Sequence, residues 1–180
     1  MLSSLHYVVI ATSTADEAAH FEQSFRTLYT SEVVIVLRYL RANVAESAEA
    51  EELCADTFLR AWVAWPRFRG QPDEARSWLL RIARNLVIDR HRRRRLLRIF
   101  PLQHQDSTGR DPTASEATNR VHFQQALGRL SMADRDLLAL RAAGLSHAVI
   151  ARVQGRGENA VKMAWHRALR RLREQLEGGR

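Results

Sequence analysis

Apolar residues return every three to four positions along almost the whole chain and hardly anywhere alternate singly with polar ones, so a continuous apolar face can form only on helices. The sequence therefore predicts an all-α fold. Phe21, Phe25, Leu28, Tyr29, Val36 and Leu40 mark one face of a first helix ending near Asn43, and Thr14-Ala15-Asp16-Glu17 has capping-box spacing at its start. Leu53, Phe58, Ala61, Trp62 and Trp65 form the stripe of a second helix, from about Ser47 to Trp65, which Pro66 stops. Gly70 and Pro72 place Arg67 to Asp73 in a loop. A third helix starts near Glu74, turns Trp78, Ile82 and Leu86 inward and continues into a run of arginines.

The periodicity lapses between Arg98 and Asn119, where Pro101, Gly109, Pro112 and several Ser and Thr residues read as a flexible linker. Beyond it, Phe123, Leu127 and Leu130 open a helix, and Ser131 followed by Asp134 is a second capping signal. A short helix from Ser146 to Gln154 is separated by Gly155-Arg156-Gly157 from a last helix carrying Val161, Trp165, Ala168, Leu169, Leu172 and Leu176 on one face. This is helix-turn-helix spacing. The chain divides into an N-terminal arm without assigned role (1–20), a helical bundle (21–97), the linker (98–119) and a helix-turn-helix domain (120–178). With 180 residues, each domain buries only a modest core.

Charge narrows the function. The formal net charge is +8 and nearly all the positive residues are arginine, whose planar fork suits phosphate, so a polyanionic partner is expected. The single cysteine, Cys54, excludes an internal disulfide framework and a thiolate zinc site. Neither the carboxylates nor the histidines have the spacing of a metal site or a catalytic triad, which argues against an enzyme and leaves no cofactor to expect. The apolar stretch Leu5 to Ala11 lacks a preceding basic run and no segment is long enough for a bilayer, so no membrane insertion is expected and the cytoplasm is the expected compartment.

Three constellations carry the chemistry. The run RNLVIDRHRRRRLLR, Arg84 to Arg98, reads either as a solvated basic face or as a face following a phosphate backbone. Phe68 and Trp78 lie beside it, suited to stacking on unpaired bases or, for Trp78, to core packing; Asn85 could read a base edge or remain a surface amide. The last helix presents Lys162, His166, Arg167, Arg170 and Arg171 opposite its apolar stripe.

Over about Phe21 to Arg95, AEELCADTFLRAW, FRG and SWLLRIARNLVIDRHRR resemble region two of the extracytoplasmic-function (ECF) sigma factors of bacterial RNA polymerase. Over Leu127 to Glu174, LGRLSMADRDLLALRAAGLSHAVIA and VKMAWHRALRRLRE resemble their region four. The resemblance implies that Glu51, Glu52, Leu53, Asp56 and Phe58 dock on the clamp helices of core polymerase. It implies that Phe68, Trp78, Arg81, Asn85 and Asp89 recognise the minus-ten element and capture a flipped base of the melted non-template strand, with Arg90, Arg92, Arg93 and Arg94 on phosphates. Lys162, His166, Arg167, Arg170 and Arg171 would meet the minus-thirty-five duplex, and an anti-sigma factor is a further partner that the resemblance leaves open. The alternative is a stand-alone helix-turn-helix regulator, which would bind duplex DNA without polymerase and would not need Phe68 and Trp78 so arranged.

The second block departs from the family pattern. Ala148 and Val149 stand where acidic residues are usual, Gln154 and Arg156 where apolar ones are, Ala160 in place of a Thr and Ala164 in place of an Arg; in the first block Ala55 replaces a Gln. Glu158, in the first turn of the last helix, suits the helix dipole but would repel an approaching phosphate. The expectation is a looser dependence on the upstream promoter element.

Overall fold

The first helix is far longer than its capping signal suggests. In the computed structural model, which describes residues 3–71, 74–99 and 116–178, with side chains for 19–71, 74–94 and 122–178, α1 runs unbroken over Ser3–Asn43. Thr14 to Glu17 therefore lies inside a helix and caps nothing, and the N-terminal arm is helical from Ser3 onward. Its many hydroxyl residues are accommodated by bonding back along the helix: Ser24 Oγ donates to the Phe21 carbonyl at 2.8 Å and Thr27 Oγ1 to that of Gln23 at 3.0 Å.

Next come α2 (Ser47–Ala64), a 3-10 turn (Trp65–Arg67) begun by Pro66, and α3 (Ala75–Ile99). After 100–115, which lie outside the described residues and hold the expected linker's Pro101, Gly109 and Pro112, follow α4 (Glu116–Arg129), α5 (Met132–Ala142), α6 (His147–Gln154) and α7 (Glu158–Glu177). Among the described residues all regular structure is helical, as the periodicity requires.

The helices α1, α2 and α3 make the first bundle. Val36 and Leu40 from α1, Ala50, Leu53, Phe58 and Ala61 from α2, and Leu79, Leu80, Ala83 and Val87 from α3 are buried together. Alanines at Ala50, Ala61 and Ala83 let the helix backbones approach closely, while aromatic edges close the end of the bundle: Phe21 and Phe25 meet the Trp62 ring at 4.6 and 5.0 Å. Two buried carboxylates fix the register. Glu32 of α1 accepts both arms of Arg76 at 2.8 and 3.0 Å, and Glu49 of α2 accepts from Arg90 at 2.8 Å and Arg94 at 2.9 Å. A carboxylate so deeply placed is tolerable only with such partners.

The second domain is built on local signals. Ser131 Oγ accepts from the Asp134 amide at 3.1 Å to cap α5, and Ser146 Oγ accepts from the Val149 amide at 3.3 Å to cap α6. Gly144 and Gly155 take positive φ, 91° and 66°, at the ends of α5 and α6, where the left-handed turn favours glycine. The guanidinium of Arg141 lies 5.5 Å from the centre of the Trp165 ring, and Leu127, Leu130, Leu138 and Ala168 close the hydrophobic interior.

The two domains share one core. Leu137 and Leu140 of α5 belong to the same buried cluster as Val36 and Leu40 of α1, and Val149 and Val153 of α6 pack against it. At this junction Asp136 accepts a hydrogen bond from the Tyr39 hydroxyl at 2.8 Å. Burial, and then the Asp136 carboxylate, hold the Tyr39 phenol well above its ordinary range, so it remains a donor.

Cys54 is buried in the first bundle, and that burial pushes its thiol up, away from the reactive thiolate. We expect the native chain to react with a water-soluble disulfide reagent only at the rate of unfolding. Progress curves across a urea series should track loss of helicity; fast labelling in buffer would show that the bundle opens locally around α2.

Candidate functional site

On α2 the acidic and apolar residues expected to face polymerase divide between two faces. Glu51, Glu52 and Asp56 are exposed, but Leu53 and Phe58 are only 4% and 5% exposed, and Phe58 meets the Tyr29 ring edge-on at 4.7 Å. Leu53 and Phe58, expected on the polymerase-facing side, are packed in the chain's own core. The apolar residues that do face outward are Leu59 and Val63, 63% and 62% exposed. They follow Glu52, Ala55 and Asp56 along one ridge at helical spacing. Glu51 is tied to Arg41 at 3.1 Å, and Glu52 lies 3.5 Å from Arg90.

The aromatic residues gather where the 3-10 turn meets α3. Trp65 and Phe68 stack at 5.1 Å with an interplanar angle of 10°, and Trp78 leans on Phe68 at 4.9 Å and on Trp65 at 5.9 Å. Trp78 packs partly against the core, and its ring also lines a cavity of about 430 Å³ with Phe68, Arg67, Arg69, Ser77 and Arg81. Gly70 is needed here for space rather than for φ, because a Cβ would come within 2.5 Å of the Phe68 ring. Arg67 and Arg81 have no carboxylate partner among the described residues. Arg81, Asn85 and Asp89 follow one another along α3 at four-residue spacing, all exposed.

The arginine run is not one uniform phosphate-tracking face. Arg90 and Arg94 are engaged with the buried Glu49, while Arg92 and Arg93 project outward. The cavity's other wall comes from α6, through Val149, Arg152 and Val153.

On α7 the outward face holds His166, Arg167 and Arg170, with Met163 exposed among them, a residue the charge pattern alone does not reveal. Lys162 and Arg171 lie on the flanks, paired with Glu158 at 2.8 Å and with Asp134 at 2.7 Å. The Lys162 ammonium holds the exposed Glu158 carboxyl below its usual range. Ala164 is 8% exposed and faces the core, so its substitution for Arg removes no outward contact here; Ala160 is exposed.

No group of three or more metal-ligating side chains occurs among the described residues, and no helix there is long and apolar enough to cross a membrane. Residues 28–96 match the family description Sigma-70 region 2, and residues 120–172 match Sigma-70, region 4. The chain is 31% identical over 172 residues to the ECF RNA polymerase sigma factor SigL of Mycobacterium tuberculosis, covering 93% of this chain and 95% of the relative. It is 35% identical over 159 residues to the ECF RNA polymerase sigma factor BldN of Streptomyces coelicolor, covering 85% and 60% respectively. Among solved structures, the fold is similar to the sigma factor RpoE in complex with the anti-sigma factor NepR from Bartonella quintana, with a TM-score of 0.74 at 24% identity over 88% of this chain and 99% of that one. It is also similar to CnrH in complex with the cytosolic domain of CnrY, with a TM-score of 0.66 at 28% identity over 91% and 94%. With both regions matched in order and a relative aligned over nearly its full length, the chain belongs to the ECF sigma factors, which direct RNA polymerase in promoter-specific transcription initiation.

Proposed function

We propose that the three surfaces divide this work among them. The α2 ridge of Glu52, Asp56, Leu59 and Val63 grips core RNA polymerase, its acidic residues steering it to a basic partner and its apolar pair filling the dry centre of the contact. The Phe68 and Trp78 cavity, with Arg67, Arg69 and Arg81 at its walls and Asn85 on the same helix, takes a base flipped from the non-template strand of the minus-ten element. Flipping costs a few kcal/mol of stacking, and a preformed aromatic wall offsets it at about 1–3 kcal/mol per base. Asp89, Arg92 and Arg93 continue this contact along α3, with Arg90 and Arg94 positioned through Glu49.

The α7 face of Met163, His166, Arg167 and Arg170 enters the major groove at the minus-thirty-five element, Lys162 and Arg171 reaching phosphates from its flanks. The observation that carries this reading is the aromatic wall opening beside Arg67 and Arg81, which have no carboxylate partner among the described residues, an arrangement a duplex-binding regulator does not need. Because RpoE was solved in complex with the anti-sigma factor NepR, an anti-sigma factor is a natural partner here too, and the protein acts in the cytoplasm with polymerase.

Leu59→Arg or Val63→Glu should weaken association with core polymerase by at least about tenfold, the scale of a central interface contact, without lowering the thermal midpoint. Leu53→Ala should lower the midpoint first; equal polymerase affinity for Leu59→Arg and the native chain would disprove the ridge assignment. Asn85→Ala should reduce open-complex formation by about 1–3 kcal/mol while polymerase association stays unchanged, measured by permanganate footprinting beside a pull-down. Equal loss of both steps would remove Asn85 from the DNA contact. With Ala160 and the paired Glu158 at the start of α7, promoter libraries randomised separately at the two elements should show stronger selection at minus ten than at minus thirty-five. The reverse ranking would contradict this view of α7.

A further inference from the structure

We propose that the cavity between α3 and α6 is a binding site for a free nucleoside polyphosphate, a small-molecule ligand distinct from the promoter strand. The site shares Phe68 and Trp78 with the strand-capture reading above but does not depend on it, because it also draws on α6, which strand capture leaves unused.

One wall of the cavity is aromatic and already in place. Phe68 lies flat on Trp65, at 5.1 Å and 10°, and the Trp65 indole N–H donates to Ser24 Oγ of α1 at 3.1 Å, so the pair is anchored from behind. Trp78 meets Phe68 at 4.9 Å, and both rings line the cavity. The other wall comes from α6, where Val149 and Val153 stand one helical turn apart, both half-buried. Rings on one side and branched aliphatic side chains on the other make a slot suited to a flat heterocycle. Because the rings are held before any ligand arrives, little ordering cost opposes the stack. The volume of about 430 Å³ falls among small-molecule sites, which span about 300–1,000 Å³.

The same cavity gathers positive charge. Arg67, Arg69, Arg81 and Arg152 line it, against one carboxylate, Glu74. That carboxylate is engaged in its own loop, accepting from the Gln71 amide at 3.0 Å. Arg69 is turned onto the Pro66 and Phe68 carbonyls at 2.8 and 3.3 Å, whereas Arg67, Arg81 and Arg152 have no carboxylate partner among the described residues. Within α3 the contrast is clear: Arg76, Arg84, Arg90 and Arg94 each reach a buried carboxylate, and Arg81, on the cavity, does not. Like charges converging on one cavity repel each other, and a phosphate chain relieves that repulsion through charge-assisted, bidentate hydrogen bonds.

The two halves of the site select the ligand class together. A purely apolar ligand would leave the guanidinium groups unanswered, and an inorganic anion would leave the rings and valines unused. A base carried on a phosphate chain satisfies both. Arg152 stands beside Val153 on α6, so the helix that supplies the aliphatic wall also supplies a cation. A ring face covered by a nucleotide is closed to a strand base, so the two ligands compete for Phe68 and Trp78.

The test uses the full chain without polymerase and titrates adenosine diphosphate by isothermal calorimetry. One-to-one binding in the micromolar range is expected, and no heat of binding up to about 1 mM would overturn the site. Adenosine and inorganic pyrophosphate, the two halves of the probe, should each bind at least about tenfold more weakly; pyrophosphate binding as well as the whole nucleotide would overturn the base slot. Arg152→Gln, at an exposed position, should weaken adenosine diphosphate about tenfold, the scale of one charge-assisted hydrogen bond. Trp78→Leu should do the same by removing a stacking face. Unchanged affinity in either variant, with helicity retained, would overturn the placement, and should Trp78→Leu lose helicity, Phe68→Leu carries the comparison. Permanganate footprinting with core polymerase and the Trp78 variant keeps the two readings apart. Nucleotide that fails to bind while open complexes still depend on Trp78 overturns this site alone, whereas nucleotide binding with open complexes indifferent to Trp78 upholds this site and overturns strand capture.

Discussion

The architecture depends on how α3 shares out its circumference. Leu79, Leu80, Ala83, Leu86 and Val87 bury one arc in the first bundle, and from the rest arginines reach three buried carboxylates on three other helices: Arg76 to Glu32 on α1, Arg90 and Arg94 to Glu49 on α2, and Arg84 to Asp136 on α5. Long arginine stems can lie along apolar surface while their heads find these acids. Each acid left alone in the interior would be strongly unfavourable, so the pairs specify which turn of α3 meets which helix more than they add net stability. The helix that would meet opened DNA is therefore also the one that is tied to α1, α2 and α5, and its outward residues, Arg81, Asn85, Asp89, Arg92 and Arg93, are held on a support braced from three sides.

This division explains what a net charge of +8 does and does not reveal. Read along the sequence, the arginines from 84 to 98 form one block. In space, Arg84, Arg90 and Arg94 are struts and only some of the block faces outward, so the salt dependence of DNA binding should be governed by fewer contacts than the run contains. On α7 the same sorting leaves Arg167 and Arg170 outward while Arg171 braces Asp134. Counting cations gives the class of partner; burial of the facing acids determines which cations are available.

What could be read in advance was whatever is encoded locally. Pro66, the Ser131 and Ser146 caps and the positive-φ Gly155 punctuate the chain within a few residues of their neighbours, and the helix ends they mark fall within a residue or so of expectation. Thr14 to Glu17 failed because a capping pattern is permissive: it can start a helix but does not stop one arriving from upstream. On α2 two apolar ridges coexist, one through Leu53 and Phe58 and one through Leu59 and Val63, and periodicity alone cannot say which one the other helices will cover. The aromatic cavity was legible in its first-domain half, Phe68, Trp78 and Arg81, because those residues are close in sequence; the wall from Val149, Arg152 and Val153 depends on a contact between domains that no local signal encodes. Asp136 was invisible for the same reason, being an unremarkable acid in its own helix and a hub only once Tyr39 and Arg84 arrive.

The departures from the family pattern take on a different meaning in this light. Taken as a list, Ala148, Val149, Gln154, Arg156, Ala160 and Ala164 read as erosion of a DNA-binding motif. Their positions divide them. Ala164 points into the core, Val149 packs against the core shared by the two domains and Gln154 donates to Asp136, whereas Ala148, Arg156 and Ala160 are solvent-exposed, so half of the change falls on residues engaged within the chain itself. An acidic side chain at 149 would set a charge against the apolar core and beside the Asp136 carboxylate's helix, whereas valine packs there and glutamine at 154 donates to the acid. A helix-turn-helix that packs against its neighbouring bundle is under two sets of constraints, and residues suited to that contact appear, along the sequence alone, as residues lost to recognition.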